Sequence, residues 1–200
     1  MNYLAHAFLS FNDPEVLVGN MISDFVKGRK KFDYPPAIQA GIMLHRTIDN
    51  YTDDHPATRQ AKEYFRPAYR LYSGAFIDVV YDHFLATDPG EFDDKSLLRF
   101  SGNVYDSLLD YNDWFPAPFA AMFPFMRSQN WLYNYRTLSG TEKSFGGIVR
   151  RAAYISESET ASYLFRAHYQ PLQVCFRQFW DDAKPYIFKQ YSILKDLRNQ

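Results

Sequence analysis

Residues 75–86 read Ala75-Phe-Ile-Asp-Val-Val-Tyr-Asp-His-Phe-Leu-Ala86 (AFIDVVYDHFLA), and the fold class turns on how this stretch is read. Its centre, VVYDHF, has the β-branched and aromatic residues of a strand. The wider window favours a helix. Phe76, Ile77, Val80, Tyr81, Phe84 and Leu85 recur on a helical period, with Ser73-Gly74 before them and Asp88-Pro89-Gly90 after. A helix apolar around most of its circumference is expected to be buried, so Asp78, Asp82 and His83 need partners or a bound cation. Asp78 and Asp82 are four apart and share a face, where two ionised carboxylates repel unless something positive lies between them.

Working outward, helix punctuation dominates. Asp13-Pro14-Glu15 opens a helix over VLVGNMISDFVKG that is expected to stop at Gly28. Pro35-Pro36 opens AIQAGIMLHRTIDNYT. His55-Pro56 closes it and starts ATRQAKEYFRPAYRLY, interrupted at Pro67, with Asp54 as the expected cap. Asp93 or Asp94 caps KSLLRFSGNVYDSLLDY. The segment 114–140 reads as short helices and turns. Ser139-x-x-Glu142 is a capping box for KSFGGIVRRAAYI, and 157–197 reads as one or two long helices with a kink at Pro171 or Pro185. Hairpin signals, repeats and low-complexity tracts are absent from the sequence. The expected fold is all-α: one bundle-like domain over 1–200, with the chemistry in 1–112 and packing helices in 113–200.

Composition narrows the function. The chain has 200 residues, 46% hydrophobic, with 18 Phe and 16 Tyr, enough to bury a sizeable aromatic core. Its net charge of −1 gives no global field for nucleic acid or an anionic membrane. A lone cysteine, Cys175, excludes an intramolecular disulfide framework and a cysteine-based zinc finger. No window approaches the roughly 20 apolar residues of a bilayer span, and the N-terminus lacks a signal-peptide pattern; the expected compartment is the cytoplasm. Gly-rich phosphate loops and serine-hydrolase elbows are also missing.

The candidates for chemistry are polar residues set into apolar helices. On its helix, 43–56 (MLHRTIDNYTDDHP) aligns His45, Asp49 and Asp53 in one stripe, with Arg46 beside it. His6 interrupts NYLAHAFLS and Asp24 interrupts VGNMISDFVKG. Imidazoles and carboxylates from four segments suit a divalent cation, Mn²⁺, Fe²⁺, Zn²⁺ or Mg²⁺, which activates water and polarises a phosphoryl oxygen. Each also has a plainer reading. His6 is a satisfied core histidine, Asp49 and Asp53 pair with Arg46 or Lys62, and the run Lys27-Gly28-Arg29-Lys30-Lys31 is a solvated helix end.

These same stretches, NYLAHAFLS, GNMISDFVKG, GIMLHRTIDNYTDDHP and DVVYDHFLA, followed by WLYNY and GGIVRRAA, resemble in order and spacing the acyl carrier protein phosphodiesterase (ACP hydrolase) family over most of the chain. Ser23 stands where that family commonly has glycine, and no aromatic follows DHFLA closely. The resemblance implies a helical fold similar to the HD-type phosphohydrolases. It implies a divalent ion, typically Mn²⁺, with Mg²⁺ or Fe²⁺ as alternatives. The implied reaction is hydrolysis of the phosphodiester that joins 4′-phosphopantetheine to a serine of holo-acyl carrier protein. Its motif positions fall on Asp24, His45, Asp49, Asp78, Asp82 and His83, with His6 and Asp53 nearby. The expected roles follow. Asp24, His45, Asp78, Asp82 and then Asp49 ligate the metal; Lys27 and Arg46 help stabilise charge; His6 or His83 handles protons; Arg29, Lys30 and Lys31 meet the acidic carrier. The rivals are a phosphohydrolase of nucleotides or small phosphodiesters and a carrier-binding module without catalysis.

Overall fold

The computed structural model describes residues 1–198, and among these no strand occurs. Its helices run α1 (Tyr3–Phe8), α2 (Pro14–Ile22), α3 (Pro36–Asp54), α4 (Pro56–Glu63), α5 (Arg66–Tyr69) and α6 (Ser73–Thr87). They continue with α7 (Asp94–Leu109), α8 (Ala117–Ser128), α9 (Trp131–Asn134), α10 (Leu138–Arg151), α11 (Glu159–Ala167) and α12 (Tyr169–Arg198). Among the described residues, no helix is long and apolar enough to cross a membrane. The opening stretch is helical, as its period predicts. All six periodic positions of α6 are buried, and the helix packs against α1, α4, α10 and α12.

Aromatic side chains fill the space around α6. Phe76 meets Phe145 of α10 edge-on, Phe84 meets Phe165 and Phe176, and Tyr81 stacks on Phe179 of α12. Truncating one such ring to alanine costs roughly 3–5 kcal/mol through lost burial and the cavity left behind. The α2 helix lies along α3 at backbone contact. Gly19 and Gly41 face each other there, and a methyl on either would overlap a carbonyl of the opposite helix, Ile38 O or Val16 O. That close approach brings the polar residues of α2 and α3 within hydrogen-bond reach.

Several boundaries differ from the sequence reading, each for a local reason. The α2 helix ends at Ile22, six residues before Gly28, and Ser23–Phe25 forms a 3-10 turn. This turn is tied to α3 by the Ser23 hydroxyl on the Ile42 carbonyl and by Arg46 donating to the Val26 carbonyl at 3.1 Å. The cap of α4 is His55, whose Nδ1 accepts from the Ala57 amide, while Asp54 pairs with Arg59. The cap of α10 is Thr137, whose hydroxyl accepts from the Gly140 amide. Ser139 therefore lies inside that helix. In 114–140 the helix α8 reaches 12 residues with Pro124 inside it. The C-terminal region is two helices divided at His168, and Pro185 sits within α12 without ending it.

Candidate active site

The site is built where α1, α2 and α3 meet. Asn20, fully buried on α2, orients two imidazoles. Its side-chain oxygen accepts from His6 Nδ1 at 2.8 Å, and its amide donates to the His6 carbonyl and to the Ser10 hydroxyl. Its own backbone carbonyl accepts from His45 Nδ1 at 2.7 Å. With both Nδ1 atoms used as donors, the Nε2 atoms face the cluster, that of His6 also lying 3.2 Å from the Met1 carbonyl. The rings stack with centroids 3.9 Å apart.

Both Nε2 atoms face carboxylate oxygens. Asp49, one turn beyond His45 on α3, places Oδ2 3.0 Å from His45 Nε2 and Oδ1 3.2 Å from His6 Nε2. Asp24, on the 3-10 turn, places Oδ1 3.3 Å from His45 Nε2 and keeps its outer side in solvent. The α-ammonium of Met1 lies 3.3 Å from Asp49 and 3.0 Å from Asp78 on α6.

Charge in this cluster is tightly coupled. Burial and the neighbouring His45 hold His6 down to about 4. Burial also opposes charge on His45, but Asp24 and Asp49 outweigh it and lift that ring to about 9. Burial would raise Asp49, yet the Met1 ammonium and the imidazoles hold it well below the ordinary carboxylate range. The hydrogen bond from His45 holds Asp24 below its ordinary value. Burial opposes charge on the Met1 ammonium, and Asp78 with Asp49 reverses this, to about 11.

This donor set fits a divalent cation. His6, His45 and Asp49 each offer a ligand atom within 4.8 Å of one another. His45 Nε2 is buried and faces two carboxylate oxygens, Asp49 Oδ2 at 3.0 Å and Asp24 Oδ1 at 3.3 Å. These carboxylates favour a positive charge at His45 Nε2, and a divalent cation taking the place of the proton there would be held by imidazole and carboxylate together. The Nδ1–H bonds to Asn20 are the outer contacts that fix such ligands in one tautomer.

The profile of the family described as "Acyl carrier protein phosphodiesterase" matches residues 1–183. The chain belongs to the acyl carrier protein phosphodiesterase family. A Yersinia pestis protein of that name is 34% identical over 90% of this chain and 94% of its own length. Proteins of the same name from Salmonella paratyphi A and Escherichia coli are each 32% identical over the same shares. No solved structure matches.

Within this family member the structure gathers His6, Asp24, His45 and Asp49, and sets Asp78 one ammonium away from Asp49. It places the other candidates elsewhere. Asp82, wholly buried, accepts the amides of Leu4 and Ala5 at 2.7 and 3.1 Å, so it caps the start of α1. Burial pushes it up to about 7 against the pull of those amides. His83 faces the opposite side of α6, between the Tyr135 carbonyl and the Tyr169 hydroxyl at 2.8 and 2.9 Å. Asp53 pairs with Lys62 at 2.6 Å. Arg46 braces the Asp24 turn through Val26. Lys27 is exposed next to that turn, and Arg29, Lys30 and Lys31 lie on a 3-10 turn, Gly28–Asp33, beside exposed Phe32.

Asn20, Gly19 and Gly41 went unread in the sequence. An asparagine between Gly19 and Met21 on an otherwise apolar helix is the one local signal that could have pointed to them.

Proposed function

We propose that this chain is a metal-dependent phosphodiesterase that removes 4′-phosphopantetheine from holo-acyl carrier protein, leaving apo-carrier. Membership of the family supports the substrate class. The observation that carries the metal dependence is the convergence of His45 Nε2, His6 Nε2 and Asp49, with Asp24 at the solvent edge. Two imidazoles with carboxylates suit a divalent first-row ion, and the family resemblance, not the donor set, puts Mn²⁺ before Mg²⁺ or Fe²⁺. When bound, such an ion supplies a Lewis acid and a water acidic enough to attack phosphorus at neutral pH.

The chain's own groups do the rest. Asn20 holds both rings with Nε2 inward. Asp24, the most exposed carboxylate of the cluster, stands where water and the phosphodiester enter. Lys27, beside the Asp24 turn, offsets charge gathering on the phosphoryl oxygens. Water oxygen bonds to phosphorus as the bond from phosphorus to the serine oxygen breaks, and the proton given up by the water is balanced by the one that oxygen takes to restore the serine. Arg29, Lys30 and Lys31 present a cationic surface to the acidic carrier, whose compartment, the cytoplasm, is then also this protein's. In this reading Asp82 and His83 serve the fold.

The test is one incubation of holo-carrier with the chelator-treated chain, with and without Mn²⁺, read by mass spectrometry. The expected result is loss of the prosthetic group only when Mn²⁺ is restored, with Mg²⁺ and Fe²⁺ as comparison arms. Release at the same rate in chelator removes the metal from the reading. No release under any ion removes the substrate.

A further inference from the structure

The cluster sits midway along one stripe of α3. Toward the start of that helix, Lys31 reaches Met43 and Arg46 reaches Val26, so the basic 27–31 turn flanks the cluster there. Toward the other end, Asp53 and Asp78 open into a groove of about 650 Å³ between α4, α5 and the start of α6. Asp78 is common to both places. It shares the Met1 ammonium with Asp49 of the cluster and also lines the groove. The remaining groove wall is Lys62, Arg66, Arg70, Leu71 and the first turn of α6.

Lys62 already pairs with Asp53 at 2.6 Å, and Arg66 with Glu63 at 2.8 Å. The Arg70 backbone bonds to the Arg66 carbonyl and the Ser73 amide, but its guanidinium has no hydrogen-bond or ion-pair partner among the described residues, and its backbone is held at φ 47°. A non-glycine residue kept in that region is strained, and such strain persists where the surroundings impose it. Leu71 beside it is 99% exposed.

We infer that this groove holds the prosthetic arm of the substrate, with its phosphate against the cluster; the inference rests on the phosphodiesterase reading above. A phosphodiester has two ester sides. The carrier protein meets the basic 27–31 turn on one side of the cluster, and the groove is the cleft on the other. The arm is an extended chain of amide carbonyls, a hydroxyl and methyl-bearing carbons. Lysine and arginine are donors only, so Lys62, Arg66 and Arg70 match the carbonyl acceptors. Leu71 and Ala75 offer apolar surface to the methyl groups. The volume lies within the range of small-molecule clefts, roughly 300–1,000 Å³.

The test is isothermal titration of the full chain in Mn²⁺ with two probes, 4′-phosphopantetheine and inorganic phosphate, using wild type and an Arg66→Gln/Arg70→Gly variant. Glycine at position 70 relieves the backbone strain, so the fold is retained. The expected result is about tenfold weaker binding of phosphopantetheine, the size of one charge-assisted hydrogen bond, with phosphate affinity unchanged. Equal affinity of wild type and variant for phosphopantetheine overturns the assignment. So does an equal loss for both probes, or no binding of phosphopantetheine by wild type. If groove-dependent binding holds but holo-carrier stays intact, the phosphodiesterase reading falls and the groove stands. If holo-carrier is cleaved and the variant keeps wild-type KM and Kd, the groove falls alone.

Discussion

Asn20 carries no charge, yet both imidazoles of the site are fixed by it. Removing its side chain leaves His6 Nδ1 without a partner, leaves the His6 carbonyl with only the Ser10 hydroxyl, and frees the ring to turn. Asn20→Ala should therefore lower Mn²⁺ affinity by roughly 10–100-fold, the usual effect of deleting an outer contact of a metal ligand. Equilibrium dialysis against Mn²⁺ reads this directly, and helical circular dichroism should survive. Asp82 makes the contrasting case. Its two oxygens hold the first amides of α1, so Asp82→Ala should cost about 3 kcal/mol in urea denaturation, the penalty for stranding buried donors. A loss well under 1 kcal/mol would mean that it does not cap α1.

Helix contacts decide whether those residues meet at all. The α2–α3 pair touches backbone to backbone at Gly19 and Gly41, and this sets the His45–Asn20 bond. Gly41→Ala places a methyl against the Val16 carbonyl, which cannot yield as a side-chain tip can. The expected result is a loss of at least about 1–3 kcal/mol and a weakened metal site, while Gly102→Ala, where a methyl meets nothing, should be tolerated. The start of α10 gives a second check. Thr137→Ala removes its cap and should cost about 1 kcal/mol, whereas Ser139→Ala should change stability by no more than about 0.5 kcal/mol. The reverse order would restore the sequence-based capping box.

Across the whole molecule, net charge is −1, so attraction to an acidic partner depends on where the cations sit. The 27–31 turn and the Lys62–Arg70 groove lie at opposite ends of the acidic and imidazole cluster. Replacing Arg29, Lys30 and Lys31 with glutamine should raise KM for holo-carrier and flatten its salt dependence while leaving kcat near wild type. Steady-state kinetics across a salt series measure both effects, and an unchanged KM would move docking off this turn.

The helical character, the burial of α6 and most element starts were legible in the sequence, because period, proline and capping residues are local properties. So was the suspicion attached to His6, Asp24, His45 and Asp49, since polar residues on apolar faces need partners. Local pattern could not say which acids share a cavity. Asp78 and Asp82 lie on one face of α6, yet one meets the Met1 ammonium and the other the amides of α1, and His83 next to them points into the core. The partner of a buried polar group is set by which helices pack together. Here that packing follows from two glycines and an asparagine whose roles exist only once α2 and α3 are in contact.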